Sequence, residues 1–367
     1  MNDWFTINNI DQLDTPALVV FPDRVKENIR ILKQFVPDVH RLRPHVKTNK
    51  CAEVCKLMID EGIYKFKCAT IAEAEMLASI GAPDVLLAYQ PVGPKVSRLI
   101  QLIQKFPATH FGCLVDNLKS ASYLSDQAEK KSLRIKVYLD INVGMNRTGI
   151  SPDNALELFE HSRNLKGIDV KGLHAYDGQL RDSDLEIRRI KCDEGFNKAE
   201  KLKNEIEKQF GSPMIIIAGG TPSFPIHALR KKVECSPGTF IFWDKGYQQL
   251  LPEQPFLFAA LVVTRIISKP TDDTITVDLG HKAIASENPL SNRVYFLNAP
   301  EVQPISQSEE HLVLKTNQNT FNVGDVLYGL PHHICPTVAL YETMAVVENH
   351  QVNESWNVVS RKRKISV

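Results

Sequence analysis

Between residues 41 and 236, short apolar runs rich in β-branched residues alternate with longer stretches of helical period. The runs at 41–46, 65–69, 85–89, 111–115, 134–141, 169–175, 214–218 and 233–236 read as strands. The stretches at 71–80, 118–130, 154–164 and 184–210 read as helices. Thr70 precedes IAEAE with Glu73 three residues on, a capping-box spacing, and Ser151-Pro152 opens NALELFEHS. Eight strands alternating with helices is the pattern of a (β/α)8 TIM barrel. A doubly wound open sheet shares that alternation, and the count does not separate the two.

Past residue 250 the texture changes. Short strand patterns at 256–269, 274–278, 312–316 and 338–347 are divided by turn signals such as KPTDD and FNVGD. The expected organisation is α/β: a barrel over 21–249 and a C-terminal mostly-β domain over 250–367, with 17–21 lending the latter a strand. The tail RKRKISV reads as a solvated basic end.

Composition narrows the class. Lys+Arg 44 against Asp+Glu 43 leaves a net charge of +1, too balanced for a nucleic-acid binder. The seven cysteines are odd in number and contain no CxxC, which suits a reducing compartment and excludes a zinc ribbon. The N-terminal segment is acidic rather than apolar, and no run reaches the ~20 apolar residues that span a bilayer. A cytoplasmic protein without nucleic-acid or membrane partners is expected.

In a barrel of this kind the chemistry gathers at the C-terminal ends of the strands. RPHVKTNK (43–50) follows the first, placing His45, Lys47 and Lys50 at its mouth. Asp140 and VGMNRTG (143–149) follow the fifth, HAYDG (174–178) the sixth, GGTPS (219–223) the seventh and PGT (237–239) the eighth. Glycine-rich turns after the last two strands suit an anion, because backbone N–H groups can approach it closely. A tight turn needing positive φ would use the same residues. A lysine desolvated at a barrel mouth is suited to Schiff-base formation, and a surface lysine at a strand end is the other reading of Lys47. Neither GxGxxG nor GxxxxGK[ST] occurs.

RPHVKTNK, GMNRTG, HAYDGQ, GGTPSF and PHHICPT, in this order over most of the chain, resemble the motifs of the alanine-racemase-type (fold type III) pyridoxal-phosphate enzymes. The branch most resembled holds the D-threonine aldolases and D-serine dehydratases. The resemblance implies an alanine racemase-like barrel with a β domain and a homodimer. It implies Lys47 as the aldimine lysine and Arg147 near the cofactor's phenolic oxygen. His174 and Tyr176 would line the ring, with Tyr176 near the pyridine nitrogen. Gly219, Gly220, Thr221, Gly238 and Thr239 would hold the phosphate. A ring nitrogen facing a tyrosine stays largely unprotonated, so the β-substituent needs separate activation.

His333 and Cys335 are a zinc-favouring pair, and two apart in an extended segment they share a face. The resemblance assigns them a divalent metal at the substrate β-hydroxyl, with manganese or magnesium as the harder alternatives. It leaves Lys50, Asp278, Lys282 and His332 without a role. The implied activity is a pyridoxal-phosphate- and metal-dependent lyase on a β-hydroxy D-amino acid, giving glycine and an aldehyde, with His45 as a candidate base. D-serine dehydration to pyruvate and ammonia is the alternative. A racemase using Tyr341 or Tyr328, or a non-catalytic cofactor carrier, would leave the HxC pair idle.

Overall fold

The computed structural model describes residues 3–317 and 320–367. The chain divides into a barrel unit (Leu32–Lys47, Cys55–Gly238, Lys362–Val367) and a β-rich unit (Met1–Ile31, Thr48–Val54, Thr239–Arg361). Residues 239–249, grouped with the barrel by sequence texture, lie in the β-rich unit.

The chain opens with β1 (Ala17–Val20), α1 (Pro22–Phe35) and α2 (Ala52–Asp60). The barrel unit then alternates β2 (Lys65–Cys68), α3 (Ile71–Ser79), β3 (Asp84–Leu87), α4 (Pro94–Lys105), β4 (His110–Val115) and α5 (Leu118–Glu129). It continues through β5 (Ile135–Asp140), α6 (Pro152–Ser162), β6 (Ile168–Ala175), α7 (Leu185–Phe210), β7 (Ile215–Ala218), α8 (Phe224–Ala228) and β8 (Val233–Cys235). Strands β2 to β8 form one curled parallel sheet in sequence order. The cap at α3 forms: Thr70 Oγ1 accepts the Glu73 N–H at 3.1 Å, and Glu73 Oε2 reaches back to the Ala69 N–H at 2.6 Å.

The strand expected at 41–46 does not form. The segment instead makes isolated parallel bridges from Leu42 to Cys235 and from His45 to Lys67. Arg43 donates its N–H to the Cys235 carbonyl, while Pro44 accepts from the Lys67 N–H, each at 2.9 Å. Pro44 has no N–H of its own to offer β2, but pairing resumes beyond it, the His45 N–H donating to the Pro237 carbonyl and the Val46 N–H to that of Lys67, each at 2.9 Å. The segment links β8 to β2 across the gap in the sheet.

Register fixes what faces the interior. Lys67 pairs with Leu86, Asp140 with His174, and His174 with Ile217. Leu86, Leu114, Tyr138 and Ile217 pack together inside, and side chains paired in register share a face. Lys67, Asp140 and His174 therefore point inward with them. One pleat earlier, Arg43 joins Glu234 at 2.7 Å and Asp84 at 2.6 Å, and Lys65 also reaches Glu234.

The β-rich unit contains α9 (Lys245–Leu250), β9 (Ala260–Thr271), β10 (Thr274–Val277), β11 (Val294–Phe296), β12 (Gln303–Gln307) and β13 (Leu312–Lys315). After these come β14 (Val326–Pro331), α10 (Ile334–Val338), β15 (Thr343–Glu348) and β16 (Gln351–Asn357). Their sheet runs β12-β13-β10-β9-β1-β15-β16, with β14 also on β9 and β11 on β14. The expected N-terminal strand is thus central, antiparallel to β9 and parallel to β15. Phe5, Val19, Leu261, Val263, Tyr328 and Leu330 form part of its core. The pattern read at 338–347 begins later than expected because α10 occupies 334–338. The tail is exposed over 362–366, as expected of a solvated end, but its last residues are tied down: Ser366 donates its N–H to Glu75 at 3.1 Å, and Arg98 donates to Val367 at 2.9 Å. Among the described residues no helix is long and apolar enough to cross a membrane.

Candidate active site

The ends of β5 and β6 set a buried pair at the mouth of the barrel. His174 Nδ1 lies 2.7 Å from Asp140 Oδ1, and Asp140 Oδ2 accepts from Gln90 at 2.8 Å. Burial works to raise the Asp140 pKa, but bonds from His174, Thr148 and Gln90 hold it below the usual carboxylate range. Burial lowers His174, outweighing the pull of Asp140. With Nδ1 committed to Asp140, His174 Nε2 is buried and has no hydrogen-bond partner among the described residues. A buried polar atom left unmatched costs stability unless something else meets it.

Tyr176, half-buried just past β6, gathers cations. Lys47 Nζ is 5.9 Å from its ring centre, Lys67 Nζ 5.6 Å and the exposed Arg147 guanidinium 4.9 Å. The ring rests against Gly178 and Gly220, where an added Cβ would collide with it. The Lys47 N–H donates to His45 Nδ1 at 3.2 Å, which orients the imidazole and ties up that nitrogen. Lys67 is a site residue that the sequence alone does not single out. Burial first, then the charge of Lys47, pulls its amine down to about 7.

The two glycine loops meet: the Gly238 N–H donates to Thr221 Oγ1 at 3.2 Å. Gly219 has φ +73°, and a Cβ there would strike His227 and Ser223. The helix that follows, α8, has only five residues, too few to present a full helix dipole to this loop. Thr239 falls in the β-rich unit, where its Oγ1 lies 3.6 Å from Cys335 Sγ.

Behind the GGT loop, Asp177, Cys192 and His227 bring three ligand-type atoms together, all buried. Asp177 accepts from Ser223 Oγ at 2.6 Å and lies 2.9 Å from His227 Nε2. Arg230 Nη1 is 2.6 Å from His227 Nδ1. A guanidinium cannot accept, so Nδ1 must, and the imidazole proton sits on Nε2 facing Asp177. That tautomer leaves no lone pair on Nε2 for a metal. Burial pushes the Cys192 thiol up to about 12, away from the thiolate a metal needs. The cluster is a hydrogen-bonded brace, closed by the Arg230–Asp193 ion pair.

In the β-rich unit His333 and Cys335 come together, though not on an extended strand. His333 is the N-cap of α10 and Cys335 lies in its first turn. Cys335 Sγ is 3.1 Å from Thr48 Oγ1. His333 Nδ1 is 2.5 Å from Glu287 Oε1, a partner the sequence did not reveal. Burial alone would lower His333, but contact with Cys335 and Glu287 raises it to about 9. Asp244 supports the turn, accepting the Ile334 N–H at 3.1 Å, and burial raises it to about 6.

The residues left without a role have structural ones. Asp278 accepts from Thr15 at 2.6 Å and from the Arg265 N–H at 2.9 Å. Lys282 pairs with Glu309 and Glu310 at the surface. The His332 carbonyl accepts the Gly246 N–H at 3.1 Å, and Lys50, at φ 52°, offers its carbonyl to Ser360. Tyr341 donates to the Ala283 carbonyl at 2.7 Å, and Tyr328 accepts the Ile7 N–H at 3.3 Å.

The alanine racemase N-terminal domain family matches residues 20–245. The chain belongs to this family. Residues 259–347 match a serine dehydratase domain. Among relatives, the D-threonine aldolase of an Arthrobacter species is 26% identical, covering 95% of this chain and 93% of its own length. The 3-hydroxy-D-aspartate aldolase of Paracoccus denitrificans (strain Pd 1222) is also 26% identical, covering 95% and 92%. The crystal structure of D-threonine aldolase from Filomicrobium marinum superposes with a TM-score of 0.87 at 25% identity, covering 95% of both chains. The family's fold, a curled parallel barrel sheet with an antiparallel β domain, is the fold found here.

Proposed function

We propose that the protein is a pyridoxal-phosphate- and divalent-metal-dependent lyase that cleaves a β-hydroxy D-amino acid to glycine and an aldehyde. The observation that carries the reading is the barrel mouth. Lys47, Arg147 and Tyr176 converge beside His174, whose buried Nε2 lacks a partner among the described residues. These residues fit the cofactor: an amine for its aldehyde, cations for its oxygens, and glycine turns at 219–220 and 238 for its phosphate. When bound, pyridoxal phosphate supplies the aldehyde that captures amines and a ring that draws electrons from the substrate's α-carbon. Lys47 would hold it and, once released, could carry protons to and from the substrate's Cα. Arg147 keeps the phenolic oxygen ionised, and Asp140 fixes His174 against the ring.

His333 and Cys335 offer imidazole and sulfur donors, a zinc-favouring set. With Nδ1 held by Glu287, His333 presents Nε2, the carboxylate–histidine arrangement typical of metal ligands. A divalent ion there would supply Lewis acidity to the β-hydroxyl. Removal of the hydroxyl proton, with His45 as candidate base once its Nδ1 lets go of the Lys47 N–H, would release the Cα–Cβ bond. Removal of the α-proton instead expels hydroxide, and the dehydratase domain match supports that second reading. A racemase is less well supported, since the phenols of Tyr341 and Tyr328 are already engaged. Cysteines without disulfides among the described residues support a cytoplasmic setting, and a homodimer, testable by light scattering, completes the proposal.

The test is direct. Borohydride reduction of the yellow protein followed by peptide mapping is expected to leave the pyridoxyl group on Lys47. A label elsewhere overturns the assignment. Glycine and acetaldehyde from D-threonine, lost on chelation, would support the aldolase; pyruvate from D-serine would support the dehydratase.

A further inference from the structure

Lys67 is the titratable group that this chemistry leaves unused. It is 2% exposed, sits on β2, and points into the barrel beside Leu86. With Lys47 and Arg147 it makes three cationic side chains around the single ring of Tyr176. The nearby carboxylates are engaged elsewhere. Asp140 is bonded to His174 and Gln90, and Asp177 to Ser223 and His227. Among the described residues neither forms an ion pair with Lys67.

A buried amine with no bonded counter-charge is costly to ionise and gives up its proton instead. Burial, reinforced by Lys47 and Arg43 and opposed by Asp177 and Asp140, brings Lys67 down to about 7. His174 faces the same space and is lowered by burial as well, with Lys67 and Arg147 adding to the effect. The interior is thus short of negative charge, and an entering anion would supply it.

We infer that Lys67 is an anion-linked proton site: its buried amine, without a bonded counter-charge, takes up a proton when a phosphate-bearing ligand enters the barrel mouth. The inference rests on the barrel mouth being the pyridoxal-phosphate site proposed above. Lys67 then becomes a further cofactor-binding residue, acting by charge across the Tyr176 ring. The sign follows. Binding that takes up a proton is strongest below the amine's free-state pKa and weakens by up to about tenfold per pH unit above it.

The probe is pyridoxine 5′-phosphate, which keeps the phosphate and ring oxygen but has no aldehyde to react with Lys47. It is titrated into the full-length protein, cleared of cofactor, from about pH 7 to about pH 9. Wild-type affinity is expected to fall with pH more steeply than that of Lys67→Met, by up to about tenfold per unit, and the variant to bind more weakly at the low end. Comparing the two proteins cancels the ligand's own titration. Parallel profiles would overturn the inference. A second measurement needs no variant: calorimetry of inorganic phosphate binding near pH 8.5, in two buffers of different ionisation enthalpy, should show close to one proton taken up per site. No uptake overturns the inference while leaving the cofactor site standing. Failure of the wild type to bind pyridoxine phosphate, or of borohydride to fix pyridoxal phosphate on Lys47, overturns both.

Discussion

Replacing Asp177 with asparagine separates bracing of the phosphate loop from general stability. The carboxylate serves Ser223 Oγ at 2.6 Å on one oxygen and, on the other, His227 Nε2 at 2.9 Å and the Cys192 thiol at 3.6 Å. An asparagine retains one oxygen and offers an NH2 in place of the other. Arg230 fixes His227 as a donor, so the oxygen must turn to His227 and the NH2 to Ser223. Ser223 then accepts from both the introduced amide and the Gly220 N–H, and its own proton loses its acceptor. A hydrogen bond to a charged group contributes about 1.5–3 kcal/mol, and the stranded donor adds to the loss, so a destabilisation of about 2–4 kcal/mol follows. For a unit of this size that lowers Tm by roughly 5–15 °C. The loop effect is separate: Ser223 Oγ, now shared between two donors, holds the Gly220 N–H less firmly, and the turn loosens there. Affinity for pyridoxal phosphate should fall about tenfold, ~1.4 kcal/mol, while affinity for pyridoxal, which lacks the phosphate, should hold. Absorbance titrations of both compounds into wild type and variant give the ratio. An unchanged ratio together with a lowered Tm would refute the loop effect and leave the brace a purely structural feature.

Two further outcomes follow from the geometry. Glu287→Gln weakens the hold on His333 Nδ1, so divalent-metal affinity measured by competition with a chelator should drop about 10–100-fold while cofactor absorbance stays unchanged; loss of both together would place Glu287 elsewhere in the chemistry. Asp140 and Asp177 are both held below their ordinary range, so the stability they contribute is complete above the unfolded pKa, about 3.9, and is lost as pH falls through the depressed values. Urea unfolding should therefore show an added loss of stability below about pH 4, shallower in Asp140→Asn; equal slopes there would show that the Asp140–His174 pair does not contribute.

Most of the barrel is legible in the chain because a buried parallel strand needs an unbroken apolar run. The run at 134–141 becomes β5, Ile135–Asp140, and the long periodic stretch at 184–210 becomes α7, Leu185–Phe210. Helix α1 also carried a readable signal, with Pro22 at its first turn and Val25, Ile29 and Leu32 on one buried face. Strand β16, QVNESWN, carried none, since an edge strand that buries little need not be apolar. At the site, motifs local in sequence were visible and partners distant in sequence were not. Glu287 reaches His333 across 46 residues of chain, and Ser223 reaches Asp177 across 46 as well. Lys67 was hidden differently. In KFKC, lysines two apart look like the solvent face of a half-buried strand. A barrel reverses that reading, because its interior is itself the polar site and its outside is covered by helices.

The same reversal accounts for the missing eighth strand. RPHVK stands where the eighth strand ought to run and pairs only through isolated bridges, while its side chains are occupied around Lys47. Arg43, 1% exposed, anchors the segment through Glu234 of β8 and Asp84 of β3, so its position is set by two charged contacts on other strands. Truncating one partner of such a buried network typically costs about 3–5 kcal/mol, enough to hold an irregular segment in place. Pro44 withholds one N–H from β2, and the backbone on either side of it bridges β8 and β2. His45 then turns its ring back to accept the Lys47 N–H, which sets the lysine's backbone directly. A regular strand would fix Lys47 by a ladder shared with β2 and would leave no side chain to meet that N–H. An irregular one, locked by Arg43 below and His45 above, positions a single amine at the mouth just where backbone pairing of His45 and Val46 ends. Polar residues replace the apolar run where the barrel closes because closure and presentation of Lys47 are performed by the same few side chains.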